Sequence, residues 1–288
     1  MLYAVCNPAA ASGHARKTGE MIHAMLNERG IIHRMLWTEG PGHATDLSRQ
    51  AALDGAETIL SIGGDGTALE VAKGLLGTNC ALGVIPAGTG NDFIKTLALP
   101  REPAAALDFI LSHPARPTDI GEINGQIFLN EIGTGFDVSV LDHAAKAKKY
   151  VRGILPYFYG VVRTLFRFHS IPLTYSADGG EPVATDAFVV GAANGGVIGG
   201  GIVIAPEAKA DDGLLDVVIV GKIQGRRLLN RLIGLMKGNI LTFPETTHFR
   251  AASVSFSVPG GRINVDGEIV EMKTVQARIL PGALLIHR

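Results

Sequence analysis

Two glycine-rich turns, each placed directly after a short apolar run, are the parts of this chain best suited to chemistry. Residues 58–67 read TILSIGGDGT and residues 84–92 read VIPAGTGND. Glycine lets the backbone adopt positive φ and approach a ligand closely, so successive N–H groups and a helix N-terminus can point at an anion. Asp65 lies inside the first turn, where its carboxylate would repel a phosphate unless a divalent metal came between them. The two turns therefore predict a nucleotide site with magnesium.

Alternating strands and helices are predicted to position both turns. The hydrophobic pattern predicts strands at 2–6, 32–38, 58–62 and 81–85, and helices at 12–29, 43–53, 67–76 and 103–111. This alternation is typical of a parallel sheet with helices on its faces. Ligands of such sheets gather at the carboxyl ends of the strands, which is where both turns lie.

The character of the sequence changes after residue 111, where Pro114 and Pro117 interrupt the pattern. Segments rich in β-branched residues then predict strands at 127–132, 173–177, 187–192, 214–220, 253–258, 262–265 and 275–280, with helical stretches at 139–168 and 226–241. We predict an α/β domain over 1–118 and a β-rich, sandwich-like domain over 119–278. The C-terminal strand within 279–288 could pair with either domain.

Composition limits the class of protein. The chain has 288 residues, 47% hydrophobic and 18% charged, which is typical of a folded protein. A formal net charge of -1 gives no overall attraction to nucleic acid. Cys6 and Cys80 lie in apolar runs without CxxC spacing, which predicts buried, reduced thiols in a cytoplasmic protein. The opening MLYAVCNP is too short for the apolar part of a signal peptide, and we expect any membrane contact to be peripheral.

Six motifs follow one another along the chain. They are Asn7-Pro8 with Ser12-Gly13, GGDGT at 63–67, PAGTGND at 86–92, NEIGTGFD at 130–137, AKADDGLLDV at 208–217 and VDGE at 265–268. A lone GGDGT also occurs in ordinary loops, so the order of the set carries the weight. With these motifs the chain resembles the diacylglycerol kinase catalytic-domain family and, within it, the bacterial lipid kinases related to sphingosine kinase. The resemblance covers nearly the whole chain.

The resemblance implies an N-terminal domain that binds ATP, a β-rich domain that completes the active site and a lipid that enters a cleft between them. The residues that match the family's nucleotide contacts are Thr38, Gly63, Gly64, Asp65, Gly66, Thr67 and Thr89. Glu268 matches the general base, which would take the proton of a lipid hydroxyl aligned with the γ-phosphate. Asp65 is better placed to act on phosphate-bound Mg²⁺, while Asp92 either supports that network or caps the helix that follows it.

The resemblance also implies a structural metal loop at residues 209–216. There the Asp212 carboxylate and the backbone carbonyls of Lys209 and Leu214 would hold Mg²⁺. The alternative for this loop is a solvated Asp-Asp-Gly turn ahead of a buried strand. The alternative for the VDGE motif is an ordinary hairpin whose glutamate faces water. One departure from the family is His14, which stands where many relatives carry a basic phosphate contact, although Arg16 or Lys17 could replace it.

Two stretches without acidic residues suit a membrane interface. Within 143–169 the basic and aromatic residues are Lys146, Lys148, Lys149, Tyr150, Arg152, Tyr157, Phe158, Tyr159, Arg163, Phe166, Arg167 and Phe168. The stretch 217–244 carries Arg226, Arg227, Arg231 and Lys237, beside Leu228, Leu229, Leu232 and Leu235. Each basic group near anionic lipid contributes about 1 kcal/mol. The alternative for both stretches is that the apolar faces cover the β-rich domain and the charges face solvent.

These observations together predict an ATP- and Mg²⁺-dependent kinase that phosphorylates a hydroxyl of a membrane lipid such as diacylglycerol, bound peripherally at the inner face of the cytoplasmic membrane. A homodimer is left open. One alternative is a soluble-substrate kinase of the NAD kinase type, because those enzymes share the Gly-Gly-Asp-Gly turn and an Asn-Glu pair, here residues 130–131. The other is a non-catalytic lipid-binding protein on the same fold.

Overall fold

The computed structural model describes residues 1–147, 155–165, 170–223, 225–258 and 260–288. Their contacts divide the chain into two compact units. Unit 1 contains Met1–Ile120 and Pro281–Arg288, and unit 2 contains Gly121–Leu280.

Unit 1 alternates strands with helices. Its first four strands are β1 (Leu2–Cys6), β2 (His33–Trp37), β3 (Thr58–Gly63) and β4 (Ala81–Pro86). Its helices are α1 (His14–Glu28), α2 (His43–Leu53), α3 (Asp65–Leu75), α4 (Asp92–Thr96) and α5 (Pro103–Ser112), and a short 3-10 turn at Ala10–Gly13 precedes α1. The α/β unit predicted from the hydrophobic pattern is confirmed, and both ends of each strand from β1 to β4 agree with the predicted positions to within one residue.

The sheet of unit 1 is parallel, in the order β4-β3-β1-β2. Because β2 and β3 lie on opposite sides of β1, the winding direction reverses between β1 and β3. That reversal is a topological switch point, beside which ligands bind in open α/β sheets. The sheet is covered by apolar side chains of α1 and α5, including Ile22, Leu26 and Leu107.

Both cysteines of unit 1 are buried and free. Burial raises the pKa of the Cys6 thiol to about 12 and that of Cys80 to about 11. Both thiols are therefore protonated at neutral pH and are poor nucleophiles.

Unit 2 is rich in strands. They are β5 (Ala115–Ile123), which begins in unit 1, β6 (Gln126–Phe128), β7 (Glu131–Gly135), β8 (Ile171–Ala177), β9 (Val183–Ala193), β10 (Val197–Ile198), β11 (Ile202–Val203), β12 (Leu215–Gly221), β13 (Thr246–Ala251), β14 (Ser253–Ser257), β15 (Arg262–Val265), β16 (Glu268–Glu271) and β17 (Thr274–His287). The helices are α6 (Phe136–Ala147), α7 (Leu155–Leu165) and α8 (Gly225–Met236), and a 3-10 turn covers Ile240–Thr242. The predicted β-rich domain is confirmed.

The strands of unit 2 pair in the order β16-β15-β7-β9-β8-β14-β17, and β12 pairs with β9 and β13. The pairings of β7, β8, β12, β14 and β15 with their neighbours are antiparallel. Alternate side chains of these strands form one core, which includes Phe128, Ile132, Val217 and Phe256.

Within the stretch predicted helical at 139–168, the described residues belong to helices α6 and α7, and residues 148–154 and 166–169 lie outside the described part. Two strand predictions differ in the structure. The strand predicted at 127–132 covers parts of two strands, β6 and β7. The segment predicted at 275–280 and the C-terminal strand predicted within 279–288 form one strand, β17, whose last residues pair parallel with β4 in unit 1. Directly after Pro281 in this strand, Gly282 has a φ of +59°, and its amide donates to Asp119 Oδ1 at 2.7 Å. Among the described residues, no helix is long and apolar enough to cross a membrane.

Candidate active site

The two glycine-rich turns contact each other at the carboxyl ends of β3 and β4. The amide of Ala87 donates to the carbonyl of Gly63 at 2.8 Å, which extends the pairing of the two strands. A Cβ on Gly88 would lie 2.3 Å from Gly64 Cα, closer than any side-chain carbon can approach. Glycine is therefore required here because one backbone lies directly against the other.

Asn91 holds the shape of the second turn. It has a left-handed backbone at φ +52°, and its Oδ1 accepts the amide of Gly88 at 3.0 Å while its Nδ2 donates to the carbonyl of Gly88 at 3.0 Å. Thr89 lies at the exposed tip of the turn. The tip of the turn is therefore exposed to solvent, while the two hydrogen bonds of the Asn91 side chain hold the residues on either side of the tip together.

Asp65 joins the two turns. It is the first residue of α3, and its Oδ1 accepts the amide of Phe93, in α4, at 3.0 Å. A Cβ on Gly90 would lie 3.0 Å from Asp65 Oδ2. Burial, and then the nearby charge of Asp92, raise the pKa of Asp65, whereas the amide of Phe93 lowers it. The carboxylate therefore anchors the start of α4, whatever else it binds.

The interpretation of Asp92 as the helix cap is wrong. Asn91 occupies the N-cap position of α4, without a capping bond from its side chain. Asp92 is the first helical residue, and its Oδ1 pairs with Lys95 Nζ at 2.9 Å. The amide of Phe93, one of the amides in the first turn of α4 that have no partner within the helix, donates to the carboxylate of Asp65, which is distant in sequence.

The remaining predicted nucleotide residues of unit 1 lie beside the switch point. Asn7 follows β1, and its Nδ2 donates to Thr67 Oγ1 at 3.2 Å, which links β1 to α3. A Cβ on Gly63 would lie 2.4 Å from Thr67 Oγ1, so the buried threonine packs where only glycine leaves room. Thr38 follows β2, and its amide donates to the carbonyl of Cys6 at 2.9 Å. The structure therefore brings Thr38, Gly63, Gly64, Asp65, Gly66, Thr67 and Thr89 to one edge of the sheet.

We expect Gly88→Ala to destabilise the protein by about 1–3 kcal/mol, because the added methyl group must push the two turns apart. Gly66→Ala is the matched control, since a Cβ at Gly66 meets no atom within 4 Å. It should leave the free energy of unfolding unchanged or raise it by up to about 1 kcal/mol, because alanine is favoured over glycine in a helix. Urea unfolding followed by circular dichroism measures both values. Equal stability of the two variants would contradict the contact between the turns.

Glu268 lies at the tip of a hairpin in unit 2. It is exposed, it is the first residue of β16 and it pairs with Val265 of β15. The connecting residues, Asp266 and Gly267, have φ of +47° and +90°, which is the conformation of a two-residue primed turn. The hairpin alternative is thus correct for the backbone. An exposed carboxylate in this position can still accept a proton from a substrate.

The turn before Glu268 is bound to the segment that leads into β7. Asp266 Oδ2 accepts the amide of Leu129 at 2.6 Å, and Asp266 Oδ1 accepts the amides of Asn130 and Glu131 at 2.9 and 3.0 Å. The amide of Asp266 donates in return to the carbonyl of Glu131 at 3.0 Å. A carboxylate that accepts several backbone N–H groups forms strong, charge-assisted hydrogen bonds.

A buried polar cluster lies beneath this turn, and the sequence reasoning assigned it no role. Glu131 and Asn264 are 2% and 4% exposed, and Asn264 Nδ2 donates to Glu131 Oε1 at 3.0 Å. The carboxylate oxygens of Asp137, in the first turn of α6, are also buried, and a Cβ on Gly133 would lie 2.6 Å from Oδ2. Burial raises the pKa of Asp137 to about 6, although the amide of Val138 and the side chain of Asn264 oppose the shift. The NEIGTGFD motif contains both acids, but nothing in its letters indicates their burial.

The predicted metal loop lies directly before β12. Asp212 Oδ1 accepts the amide of Leu214 at 3.1 Å, which holds the carboxylate beside its own turn. One carboxylate with the carbonyls of Lys209 and Leu214 would be an all-oxygen set, the chemistry that Mg²⁺ prefers. Asp212 Oδ2, however, lies 4.0 Å from Arg250 Nη1, and this guanidinium opposes the binding of a cation. Within the described part of the chain, no three His, Cys, Asp or Glu side chains group as metal ligands.

Arg250 belongs to a charged cluster that the sequence did not predict. On β13 it lies opposite Asp216 of β12, and its Nε is 3.3 Å from the buried Asp216 Oδ1. His248 Nε2 lies 2.7 Å from the same oxygen, and Arg250 also donates to the carbonyl of Glu207 at 2.9 Å. The charge of Asp216 raises the pKa of Arg250. Through these non-covalent contacts, Arg250 connects the predicted metal loop and the segment before it to β13.

The two stretches predicted at a membrane interface are described in part. In α8, Arg231 and Arg227 contact Glu245 at 2.9 and 3.7 Å. Leu235 packs against a cluster that includes Val218 and Val220 of β12, and Leu228 packs against a cluster from α6 and β9, so this apolar face covers the β-rich unit as the alternative predicted. Exposed apolar side chains are Tyr159 and Val162 on α7, and Ile233 and Met236 on α8. Of the predicted contacts, Lys148, Lys149, Tyr150, Arg152, Phe166, Arg167 and Phe168 lie outside the described part, as do the side chains of Tyr157, Phe158, Arg226 and Leu229.

Comparisons with known proteins agree with the division of this chain into two units. Residues 1–123 match the diacylglycerol kinase catalytic domain, and residues 130–288 match the YegS C-terminal NAD kinase beta sandwich-like domain. A crystal structure of a diacylglycerol kinase from Bacillus anthracis superimposes with a TM-score of 0.81 at 26% identity, covering 99% of this chain and 96% of that one. A yeast NADH kinase crystallised with NADH shares the fold, with a TM-score of 0.51 at 12% identity over 99% of this chain and 82% of that one. The fold is therefore that of the NAD kinase and diacylglycerol kinase class.

Two relatives in sequence identify the family within this fold class. A diacylglycerol kinase of Mycobacterium tuberculosis is 30% identical over 99% of this chain and 94% of its own length. A Pseudomonas aeruginosa protein named "Probable lipid kinase YegS-like" is 34% identical over 90% of this chain and 85% of its own length. The chain belongs to the diacylglycerol kinase catalytic-domain family, and it is a phosphotransferase of the kinase type.

Proposed function

We propose that this protein transfers the γ-phosphate of ATP, with Mg²⁺, to a hydroxyl group of a membrane lipid such as diacylglycerol. The observation that carries the proposal is the pair of glycine-rich turns at the switch point of unit 1, closed on each other by Gly64 and Gly88 and joined by Asp65. This arrangement occurs in a chain of the lipid kinase family.

Each unit has a separate task in the proposed reaction. In unit 1 the turns supply backbone N–H groups and the N-terminus of α3 to the phosphates, and Asp65 lies at that point to act on a phosphate-bound Mg²⁺. Mg²⁺ would supply charge neutralisation on the transferred phosphate. In unit 2, Glu268 takes the proton from the lipid hydroxyl as that oxygen attacks phosphorus.

The Asn-Glu pair shared with NAD kinases has a structural role in this chain and so does not by itself indicate NAD as the acceptor. The Asn-Glu pair shared with NAD kinases is buried in this chain, with Asn130 4% and Glu131 2% exposed. Its carboxylate binds Asn264 within unit 2 rather than facing a surface that a soluble nucleotide could reach. The pair therefore supports the hairpin in this protein.

Peripheral contact with an anionic membrane at the inner face of the cytoplasmic membrane is part of the proposal. Tyr159 and Val162 are 49% and 40% exposed on α7, next to the exposed Arg163. On α8, Ile233 and Met236 are 46% and 67% exposed, and Lys237 follows the helix. Exposed apolar groups beside cations are the features that bind the headgroup region of a bilayer.

The test is phosphate transfer from γ-labelled ATP to mixed micelles that contain diacylglycerol, phosphatidylglycerol, a sphingoid base or a monoacylglycerol, and to NAD, with Mg²⁺ or with chelator. We expect Mg²⁺-dependent label on one lipid. Label on NAD would establish the soluble-substrate alternative instead. Binding of ATP without transfer to any acceptor would favour the non-catalytic alternative, and failure to bind ATP would contradict the role of the turns.

A further inference from the structure

The hairpin that carries Glu268 lies at the edge of the sheet of unit 2. β16 is the terminal strand in the sheet order and pairs with β15, which joins β7 through two register pairs, Asn264 with Gly133 and Val265 with Ile132. The body of the hairpin is fixed by the buried side chains of Ile263 and Val265 and by the ion pair of Arg262 with Asp142. The position of the turn, which leads directly into Glu268, depends on further contacts.

Asp266 provides the first of those contacts. Its carboxylate accepts the amides of Leu129, Asn130 and Glu131, and its own amide returns a bond to the carbonyl of Glu131. A primed turn needs none of these bonds, because asparagine adopts the same backbone. The carboxylate thus does more than form the turn: it ties the turn to the segment entering β7.

Asn264 provides the second contact, from inside the unit. Its Oδ1 accepts the amide of Gly267 at 2.8 Å, and its Nδ2 donates to Glu131 Oε1 at 3.0 Å. One buried side chain therefore connects the turn to the strand beneath it. Residues 266 and 267 are both held, and Glu268 follows them directly in the chain.

We infer that Asp266 and Asn264 are positioning residues, which hold the turn so that the Glu268 carboxylate points at the acceptor hydroxyl. This inference rests on the proposed function and adds to it two residues that act through Glu268. Misplacement of a catalytic group by about 1 Å can cost about 100-fold in rate. Loss of the clamp should therefore lower kcat and leave ATP binding in unit 1 unchanged.

The variant that tests the clamp is Asp266→Asn, which keeps the turn conformation but removes the charge and one acceptor oxygen. The chain offers a matched control in Asp178→Asn. Asp178, at φ +48° before Gly179, accepts the amide of Ser253 at 2.8 Å and donates its own amide to the carbonyl of Ser253 at 3.0 Å. Both positions are Asp-Gly turns clamped to a neighbouring segment, and one of them precedes Glu268.

We expect Asp266→Asn to reduce kcat by about 10- to 100-fold with the KM for ATP unchanged, and Asp178→Asn to keep the wild-type kcat. Hydrogen exchange should become faster in the peptide covering 264–268 of Asp266→Asn. Equal kcat in the two variants would overturn the inference. So would unchanged exchange at 264–268, a measurement that needs no turnover and decides the matter even if the wild-type protein phosphorylates none of the lipids. Absence of wild-type transfer would by itself count against the proposed function and not against the clamp.

Discussion

Glu268→Gln is expected to lower kcat for lipid phosphorylation by about 10²–10⁴-fold, the usual contribution of a general base. Glutamine keeps the size and exposure of the side chain but has no carboxylate to take the proton from the attacking hydroxyl. The KM for ATP should stay near the wild-type value, because the glycine-rich turns of unit 1 are unaltered. Steady-state transfer from γ-labelled ATP to lipid micelles measures both constants.

Glu271→Gln is the matched control for this substitution. Glu271 lies on the same strand, β16, and is also exposed, but it pairs with Arg262 at the other end of the hairpin. It should retain wild-type kcat. If Glu268→Gln were as active as Glu271→Gln, Glu268 would be an ordinary solvated residue of a hairpin, and another group would have to accept the proton.

Asp137→Asn is expected to stabilise the protein at pH 8 by up to about 3 kcal/mol. Below about pH 4 this gain in the free energy of unfolding should disappear, because the aspartic acid is then protonated in both the folded and the unfolded state. Burial raises the pKa of Asp137 from its ordinary value of 3.8 to about 6. A carboxyl group with a raised pKa stabilises the fold most while it is protonated, and this contribution is lost as the pH rises through the folded pKa. Asparagine carries no charge at either pH and avoids that loss.

Urea unfolding at pH 4 and pH 8 measures this difference, with Asp186→Asn as the control at an exposed position of β9. The control should be neutral at both values. An Asp137→Asn variant that is less stable than wild type at pH 8 would show that the ionised carboxylate has a favourable partner. A buried acid that reduces stability is commonly retained for activity, and we therefore expect the same variant to be impaired in phosphate transfer.

The architecture could be predicted because it depends on local patterns. Strands β1, β3 and β4 are continuous apolar runs, and such runs followed by glycine turns identify buried parallel strands and the edge where ligands bind. The pattern does not predict β13, because its sequence, TTHFRA, is mostly polar and lacks an apolar alternation. Those side chains are accommodated because His248 and Arg250 both lie against the buried Asp216 of β12.

The site residues were named from motifs, but their contacts could not be predicted. Asp65 anchors α4 through the amide of Phe93, a bond between segments that are separate in sequence. The bond between Asn264 and Glu131 joins even more distant parts of the chain. A pattern of letters indicates which residues lie on one face of a strand or helix, and it contains no information on which segments meet. The burial of Asp137 has the same origin, since its neighbours come from β7 and β15.

The strand β17 has a consequence for the order in which the protein can fold during translation. Its final residues pair with β4 in unit 1, yet the ribosome makes them after the whole of unit 2. Until then the edge of β4 has no partner, although β1, β2 and β3 have already been synthesised. An uncovered strand edge is a template for pairing with another chain. The nascent protein therefore passes through a stage at which unit 1 is exposed to aggregation, and its closure depends on the arrival of residues 281–288.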